Sequence, residues 1–503
     1  MQPLPLGSGP SEPPGVAETH SAWVVFLGDR AYKIKKPVRF DFLDFSTLDA
    51  RGLALRAELE LNRRLAPDVY LGVVDVVGPD GAVAEHVLVM RRMPSDRRLS
   101  ALVERGAPVD DDVRAIARLV AGFHAQAATS PGIAAAGSPA TIRSKVERDL
   151  DELDAFAPAL LDLEDLDEAR RLALAFLEGR AALLEDRVAR GRIRDGHGDL
   201  LADDIFCLPD GPRILDCIEF DDALRHGDVL ADVAFLAMDL ERLGAPDLAE
   251  RLFSWYSEFA GERHPASLAH YYVAARALIR AKVACVRAVQ GDTGGPALAR
   301  SLVRLALAHL RRAQVRLVLV GGAPGTGKST VARGLSDRFG WVVLRSDEVR
   351  KDVTGVGRAG DPAAETTGVL DRGLYAAATT DATYEELLRR ADRALRAGES
   401  VILDATWSDA ARRTAARRVA GDTSATLVEL RCELPSDVAD ARIERRQRER
   451  NDVSDADVAV AAALRDRFEP WPTAIPLSTA APIDAMIASA ASLVNTTPDV
   501  AHG

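Results

Sequence analysis

Apolar and polar positions follow one period in the first part of the chain, a second in its middle, and an alternation of both at its end. Residues 23–27 and 31–35 are β-like runs around Gly28-Asp29-Arg30, and residues 69–77 and 83–92 flank Gly78-Pro79-Asp80-Gly81. Each pair predicts a β-hairpin, because turn residues separate short runs rich in β-branched and aromatic side chains. Residues 47–65, between the hairpins, are amphipathic and free of Gly and Pro after Gly52, which predicts a helix. From 110 to 312 the pattern is mostly Ala/Leu/Arg helix, broken by one strand-like, acid-rich segment at 193–220. Beyond Gln314, strands predicted at 315–320, 341–344, 401–403 and 426–430 alternate with helices, the pattern of a parallel sheet.

That change divides the chain. The expected organisation is a disordered, Pro/Gly-rich leader at 1–18, a first domain at 19–313, a second at 314–488, and a flexible tail at 489–503. At 503 residues two or three domains are expected, and 47% hydrophobic with 28% charged residues is the balance of a soluble globular protein. The net charge of −12 argues against a general nucleic-acid binder, although a local basic groove stays open. No run of 18 uncharged apolar residues exists, so no membrane span is expected. The four cysteines lack metal-ligand spacing and read as reduced core residues of a cytoplasmic protein.

The densest chemistry lies where the second pattern begins. An apolar run, Leu317-Val318-Leu319-Val320, leads into Gly322-Ala323-Pro324-Gly325-Thr326-Gly327-Lys328-Ser329-Thr330, and a helical pattern follows. A buried strand, a Gly-rich loop and a helix N-terminus in that order make a phosphate cradle. The loop's backbone N–H groups turn inward, Lys328 reaches the β/γ oxygens, and the Ser329 hydroxyl binds Mg²⁺. A nucleoside triphosphate, ATP, is therefore the expected ligand. Lysine usage sharpens this: of 64 Lys and Arg only seven are Lys, so ordinary surface charge is written with Arg. Lysine persists where a compact ammonium must approach a phosphate. Three more lysines cluster in Lys33-Ile34-Lys35-Lys36, either a second phosphate site or a basic strand edge.

The first domain carries Gly196-His197-Gly198-Asp199-Leu200-Leu201-Ala202-Asp203-Asp204, then Ile218-Glu219-Phe220, then Gly227-Asp228-Val229-Leu230-Ala231-Asp232. This order resembles aminoglycoside phosphotransferase-like kinases, whose fold is protein-kinase-like α+β. The resemblance implies that Asp199 orients or deprotonates the acceptor hydroxyl and that His197 braces its loop. Asp204 stands where that family has a metal-binding Asn, and Glu219 where it has a metal-binding Asp; Asp216 is a competitor for the latter role. Lys33 falls at the strand lysine that holds phosphates, with Glu58 as its ion-pair partner and Glu60 as second choice. Residues 87–90 would meet adenine, and Thr19-His20-Ser21 or Gly28-Asp29 would cover the phosphates. His124 reads as a packing residue.

In the second domain Asp347, at the end of the second strand, is the carboxylate that would orient the acceptor, with Arg350 holding substrate or phosphate. Asp347 as an N-cap is the structural alternative. Asp404 ends an apolar strand and would hold Mg²⁺ opposite Ser329. Arg442 and Arg446, in an Arg/Glu-rich helix, would close on the γ-phosphate, or else form a solvated face. This domain resembles polynucleotide kinases, zeta toxins and, more loosely, gluconate kinases. Residues 355–367 are candidate acceptor-pocket residues. The whole chain is similar to a bacterial family of two-domain kinases, an α/β multidomain class in which a protein-kinase-like domain precedes a P-loop NTPase domain. The implied activity is Mg-ATP-dependent phosphorylation of a small-molecule hydroxyl. The alternatives are a nucleotide-binding pseudokinase that regulates the P-loop half, and a nucleic-acid end kinase.

Overall fold

A computed structural model describes residues 14–19, 21–40, 43–355, 377–449 and 458–496. The chain forms two compact units. The first takes the residues up to Arg170 together with Leu184–His264 and Ala269–His309; the second takes Arg171–Leu183, Pro265–Leu268 and everything from Leu310.

The first unit is built on a five-stranded antiparallel sheet in the order Gly15–Glu18, Ala22–Leu27, Arg30–Lys35, Val83–Arg91, Tyr70–Val77. Both predicted hairpins are present. Gly15–Glu18, in the stretch expected as a disordered leader, is a fifth strand paired with Ala22–Leu27. The helix Leu48–Asn62 starts at Thr47, whose side chain accepts from the Ala50 N–H. Its buried positions, Arg51, Gly52, Leu55, Glu58 and Asn62, form one stripe at helical spacing. Gly52 is needed there, because a Cβ would come within 2.6 Å of the His86 ring. Leu55 joins Ala31, Tyr70, Leu88 and Met90 in the core beneath the sheet. Glu58 shares that apolar stripe, so it is fully buried and must be paired.

The acid-rich segment is not one strand. Ile193–Asp195 pairs with His226–Asp228, and Ile205–Leu208 forms a hairpin with Gly211–Ile214. The loops between them hold the acids. They are anchored by the buried helix Val229–Arg242, whose Asp232 accepts from the His197 and Gly198 N–H groups at 2.6 and 3.0 Å. Asp239 of that helix accepts from Ala202 N at 2.9 Å.

The second unit is a five-stranded parallel sheet in the order Val342–Arg345, Val401–Asp404, Arg316–Gly321, Thr426–Glu433, Ile475–Ser478. Arg316–Gly321 is buried along its whole length, as expected of a central strand covered on both faces. Chain order reverses on either side of it, and in such sheets ligands bind at the carboxyl ends of the strands at that switch point. One face packs Leu317, Leu403, Tyr384 and Trp407, and the other Val318, Ile402, Leu335 and Val494. Residues 489–496, expected as the start of a flexible tail, complete the helix Ile483–Thr496. Met486, Ala490 and Val494 recur every fourth residue and are buried, which fixes that helix on the sheet. Arg180 ties the early segment of this unit into place by donating to the Leu395 and Thr423 carbonyls at 2.9 and 2.8 Å.

Candidate functional site

In the second unit the loop after the central strand closes around backbone. Gly322 has φ +132° and its N–H donates to Thr406 O at 3.1 Å; a Cβ would lie 2.6 Å from Cys432 O. Gly325 has φ +83°, and a Cβ there would lie 2.6 Å from Ala439 O. Only glycine takes both the turn and the close approach. Thr326 Oγ1 donates to Ala323 O at 2.8 Å, and Gly327 caps the helix Lys328–Phe339. Thr330 N and Val331 N both donate to Gly327 O at 3.1 Å, so the helix opens directly at the loop, with the positive end of its dipole there. Lys328 Nζ donates to Ala323 O at 2.9 Å.

Ser329 Oγ donates to Asp404 Oδ2 at 2.6 Å, so the two proposed metal ligands already meet. Arg345 stands against both, with Nε 3.3 Å from Asp404 Oδ2 and a terminal nitrogen 3.3 Å from Ser329 Oγ. Asp347 is not the N-cap of its helix: Ser346–Thr354 is capped at Arg345, and Asp347 lies in the first turn. Arg350 donates to Asp347 Oδ1 at 3.0 Å, bringing those two predicted residues together. Arg442 donates to Thr479 O at 3.2 Å, and Thr479 Oγ1 donates to Thr326 O at 2.7 Å. Arg442 therefore sits against the loop through Thr479. Arg446 is in the same helix, Ser436–Glu449, but its side chain lies outside those described, as do residues 356–367 and His20.

The first unit has a separate constellation. Lys33 Nζ is 2.6 Å from Glu58 Oε1 and 3.4 Å from Asp216 Oδ1. Lys35 Nζ is 2.9 Å from Glu58 Oε2 and 2.6 Å from Glu219 Oε1. Glu58 is thus a buried bridge between two ammonium groups. Burial works against the Lys33 charge, but Glu58, Asp216 and Glu219 together hold its pKa well above the usual lysine range. Glu60 takes no part in this network. Glu219 is drawn to Lys35, whereas Asp216 projects beside Lys33 from a residue with φ +65°. That left-handed backbone is uncommon outside glycine and re-aims the side chain.

The remaining acids crowd one another. Burial, opposed by Arg280 and reinforced by Asp216, pushes Asp199 up to about 6. Burial and the charges of Asp216, Asp199 and Asp203 push Asp204 well above the carboxylate range. The Lys33 charge holds Asp216 below it. Leu215 N donates to Asp204 O at 2.9 Å, which places the Asp204 and Asp216 segments side by side. His197 Nε2 is 3.1 Å from Leu215 O, and burial lowers its pKa, so the ring is neutral and braces the loop. His124 is buried between Tyr256 Oη at 2.9 Å and Asp232 Oδ2 at 3.3 Å, a polar packing position. The four cysteines are buried, and burial pushes the Cys207, Cys217 and Cys432 thiols up to about 12, leaving them inert.

Arg345, Thr479 and Asp216 are the site neighbours that sequence reading missed or ranked second. Asp216 alone had a visible signal, as the other acid of the Leu215-Asp216-Cys217-Ile218-Glu219 run.

The first unit has the antiparallel sheet, the following helix and the Lys33–Glu58 pair expected of a protein-kinase-like fold, and the second is a P-loop NTPase fold. A family model described as an AAA domain matches residues 317–471. "Uncharacterized protein Rv2004c" of Mycobacterium tuberculosis (strain ATCC 25618 / H37Rv) is 43% identical over 476 residues, 94% of each chain. "Uncharacterized protein Mb2027c" of Mycobacterium bovis matches with the same identity and coverage. The chain belongs to the family of these mycobacterial proteins. Among solved structures, a choline/ethanolamine kinase family protein from Mesorhizobium loti is 17% identical with TM-score 0.37, covering 61% of this chain and 96% of its own. A sugar kinase from Janibacter sp. HTCC2649 is 20% identical with TM-score 0.28, covering 38% and 99%. Among the described residues no helix is long and apolar enough to cross a membrane.

Proposed function

We propose that this chain is an ATP- and Mg²⁺-dependent phosphotransferase acting on small-molecule hydroxyls, with one nucleotide site in each unit. The observation that carries it is the Ser329–Asp404 contact of 2.6 Å beside a glycine loop with no room for a Cβ. The donor set fits the ligand. Lys328, now on a loop carbonyl, would turn to the β/γ-phosphates, and Ser329 and Asp404 would hold Mg²⁺, which neutralises phosphate charge. Arg345, in contact with both Ser329 and Asp404, would compete with a cation for that carboxylate. Asp347, oriented by Arg350, would align the acceptor hydroxyl, and Arg442 would stabilise charge on the transferring group.

In the first unit Lys33, fixed by Glu58, would hold the α/β-phosphates, and Asp199 would take the hydroxyl proton. The mutually repelling Asp204 and Asp216 carboxylates call for a cation. Among the described residues no three acidic, His or Cys side chains converge on one point, so phosphate oxygens would complete the shell of Mg²⁺ there. Asp216 rather than Glu219 would partner Asp204, because the Leu215 N to Asp204 O bond of 2.9 Å sets their segments side by side, whereas Glu219 lies 2.6 Å from Lys35. On this reading Asp216 would take the metal role, which removes Glu219, but not Asp204, as a motive for the pseudokinase alternative.

Nucleotide stoichiometry tests the two-site reading. Titration of the full chain with a fluorescent ATP analogue is expected to show two sites in wild type and one in Lys328→Ala; a single site in wild type contradicts it. For the metal, Asp216→Asn is expected to raise the Mg²⁺ needed for half-maximal first-unit activity about tenfold, and Glu219→Gln to change it little. The reverse order would return the role to Glu219. Arg345→Ala should tighten Mn²⁺ binding to the nucleotide-free second unit by up to about fivefold, the worth of a removed competing ion pair, as read by electron paramagnetic resonance.

A further inference from the structure

Asp199 is met by cations from one helix of the first unit, and a second helix sets another cation near them. Arg280, on the helix Ala266–Val289, lies 3.7 Å from Asp199 Oδ2. Arg276 is four residues earlier, hence on the same helix face, and its Nε donates to Ala231 O at 3.1 Å. The helix Pro139–Asp154 supplies Lys145, whose Nζ donates to Ala223 O at 3.2 Å. Ala223 and Ala231 bracket the segment leading to Asp232, the residue that holds the Asp199 loop. Lys282 pins the two helices together, 2.7 Å from both Asp149 Oδ1 and Glu152 Oε2.

Several cations of this cluster lie close enough to repel one another. Asp149 and Glu152 are engaged by Lys282, while Lys145 and Arg276 give these hydrogen bonds to carbonyls. Burial, and then repulsion from Arg276 and Arg148, lowers the Lys145 pKa, with Asp149 and Asp221 offsetting part of it. Burial lowers Arg276 likewise, against the pull of Asp232 and Asp199. Half-buried cations that repel one another are relieved by an anion between them. Lys145 and Lys282 are also two of only seven lysines in the chain. Neither belongs to a nucleotide site.

We propose that the acceptor of the first unit carries an anionic group, phosphate or carboxylate, which Lys145, Arg276 and Arg280 hold while its hydroxyl faces Asp199. This rests on reading that unit as a phosphotransferase. The acceptor oxygen bonds to the γ-phosphorus as the bond to the β,γ-bridging oxygen breaks; ADP leaves with that electron pair, and the hydroxyl proton passes to Asp199. The same charges repel cationic amino sugars.

The test uses full-length Lys328→Ala protein with its nucleotide site filled by AMPPNP, so that added anions cannot occupy it. Calorimetry then compares glycerol, glycerol 3-phosphate and glycerate, glucose, glucose 6-phosphate and gluconate, and glucosamine. Binding is expected only for phosphate- or carboxylate-bearing members. Adding Lys145→Gln and Arg280→Gln should weaken it at least about tenfold, the worth of one charged hydrogen bond, with AMPPNP affinity retained as the folding control. Equal binding of neutral or cationic members, no binding by any anion, or no effect of the two variants overturns the proposal. A second arm with Mg-ATP separates the two readings. Anion-selective binding without Asp199-dependent transfer contradicts the phosphotransferase and leaves the anion site standing. Asp199-dependent transfer to neutral or cationic members does the opposite.

Discussion

Full-length Lys328→Ala protein is expected to lose the phosphate transfer of the second unit by about 10³-fold or more, the scale of removing a preorganised charge from a phosphoryl transition state. Lys328 opens the helix Lys328–Phe339, and its ammonium rests on Ala323 O, 2.9 Å away within the same loop. Alanine suits the first turn of a helix, so the fold should survive and the loss is chemical. Lys328→Arg is expected to fail almost as badly, because the planar guanidinium cannot fit where a compact ammonium turns under a glycine loop. Rates of ADP formation in the presence of acceptor, with circular dichroism as the folding control, check both. Activity in Lys328→Arg near the wild-type rate would contradict the geometry.

Asp199→Asn in the Lys328→Ala background is expected to remove the activity of the first unit by about 10²- to 10⁴-fold, the usual contribution of a positioned base. Asparagine keeps the shape and can still meet Arg280, but it takes no proton. The pH profile supplies a second readout. Burial pushes the Asp199 carboxyl up to about 6, so it is protonated and idle below that pH and ionised above it. The first unit's rate should therefore rise as pH increases through about 6 and then level off. Weakening the opposing cation with Arg280→Gln should move that rise to higher pH, since the Arg280 charge favours the ionised form. A profile that falls across this range would mean that Asp199 acts protonated, or does not act.

Local chemistry was legible and tertiary aim was not. The phosphate loop is local: strand, glycines, Lys328 and helix follow one another within 15 residues or so, and the structure adds only which backbone the glycines must clear. The two hairpins and the helix bearing Glu58 are equally local, set by turn residues and periodicity. The pairing of Lys33 with Glu58 was readable only through the resemblance to phosphotransferase-like kinases, which implies a strand lysine paired to an acid on the following helix. Asp216 against Glu219 was not, because the choice turns on a positive-φ kink at Asp216 and on Lys35 reaching across the fold. Arg345 reads in sequence as the last residue of a strand; only the parallel pairing of Val342–Arg345 with Val401–Asp404 sets it opposite Asp404. Thr479 follows the edge strand Ile475–Ser478, too short to announce itself, and meets the loop only once that strand has docked. The strand at Gly15–Glu18 was hidden by the Pro/Gly composition around it. The Ala/Ser-rich stretch near the end concealed a four-residue period of buried positions.

The most direct measurement incubates the full chain with Mg-ATP and a cell metabolite extract and identifies phosphorylated products by mass spectrometry, running wild type beside Lys328→Ala, Asp199→Asn and the double variant. The account predicts at least two products or product sets, one lost with Lys328→Ala and another with Asp199→Asn, and none in the double variant. Phosphorylated species that persist in the double variant, or a wild type that forms none, would contradict it.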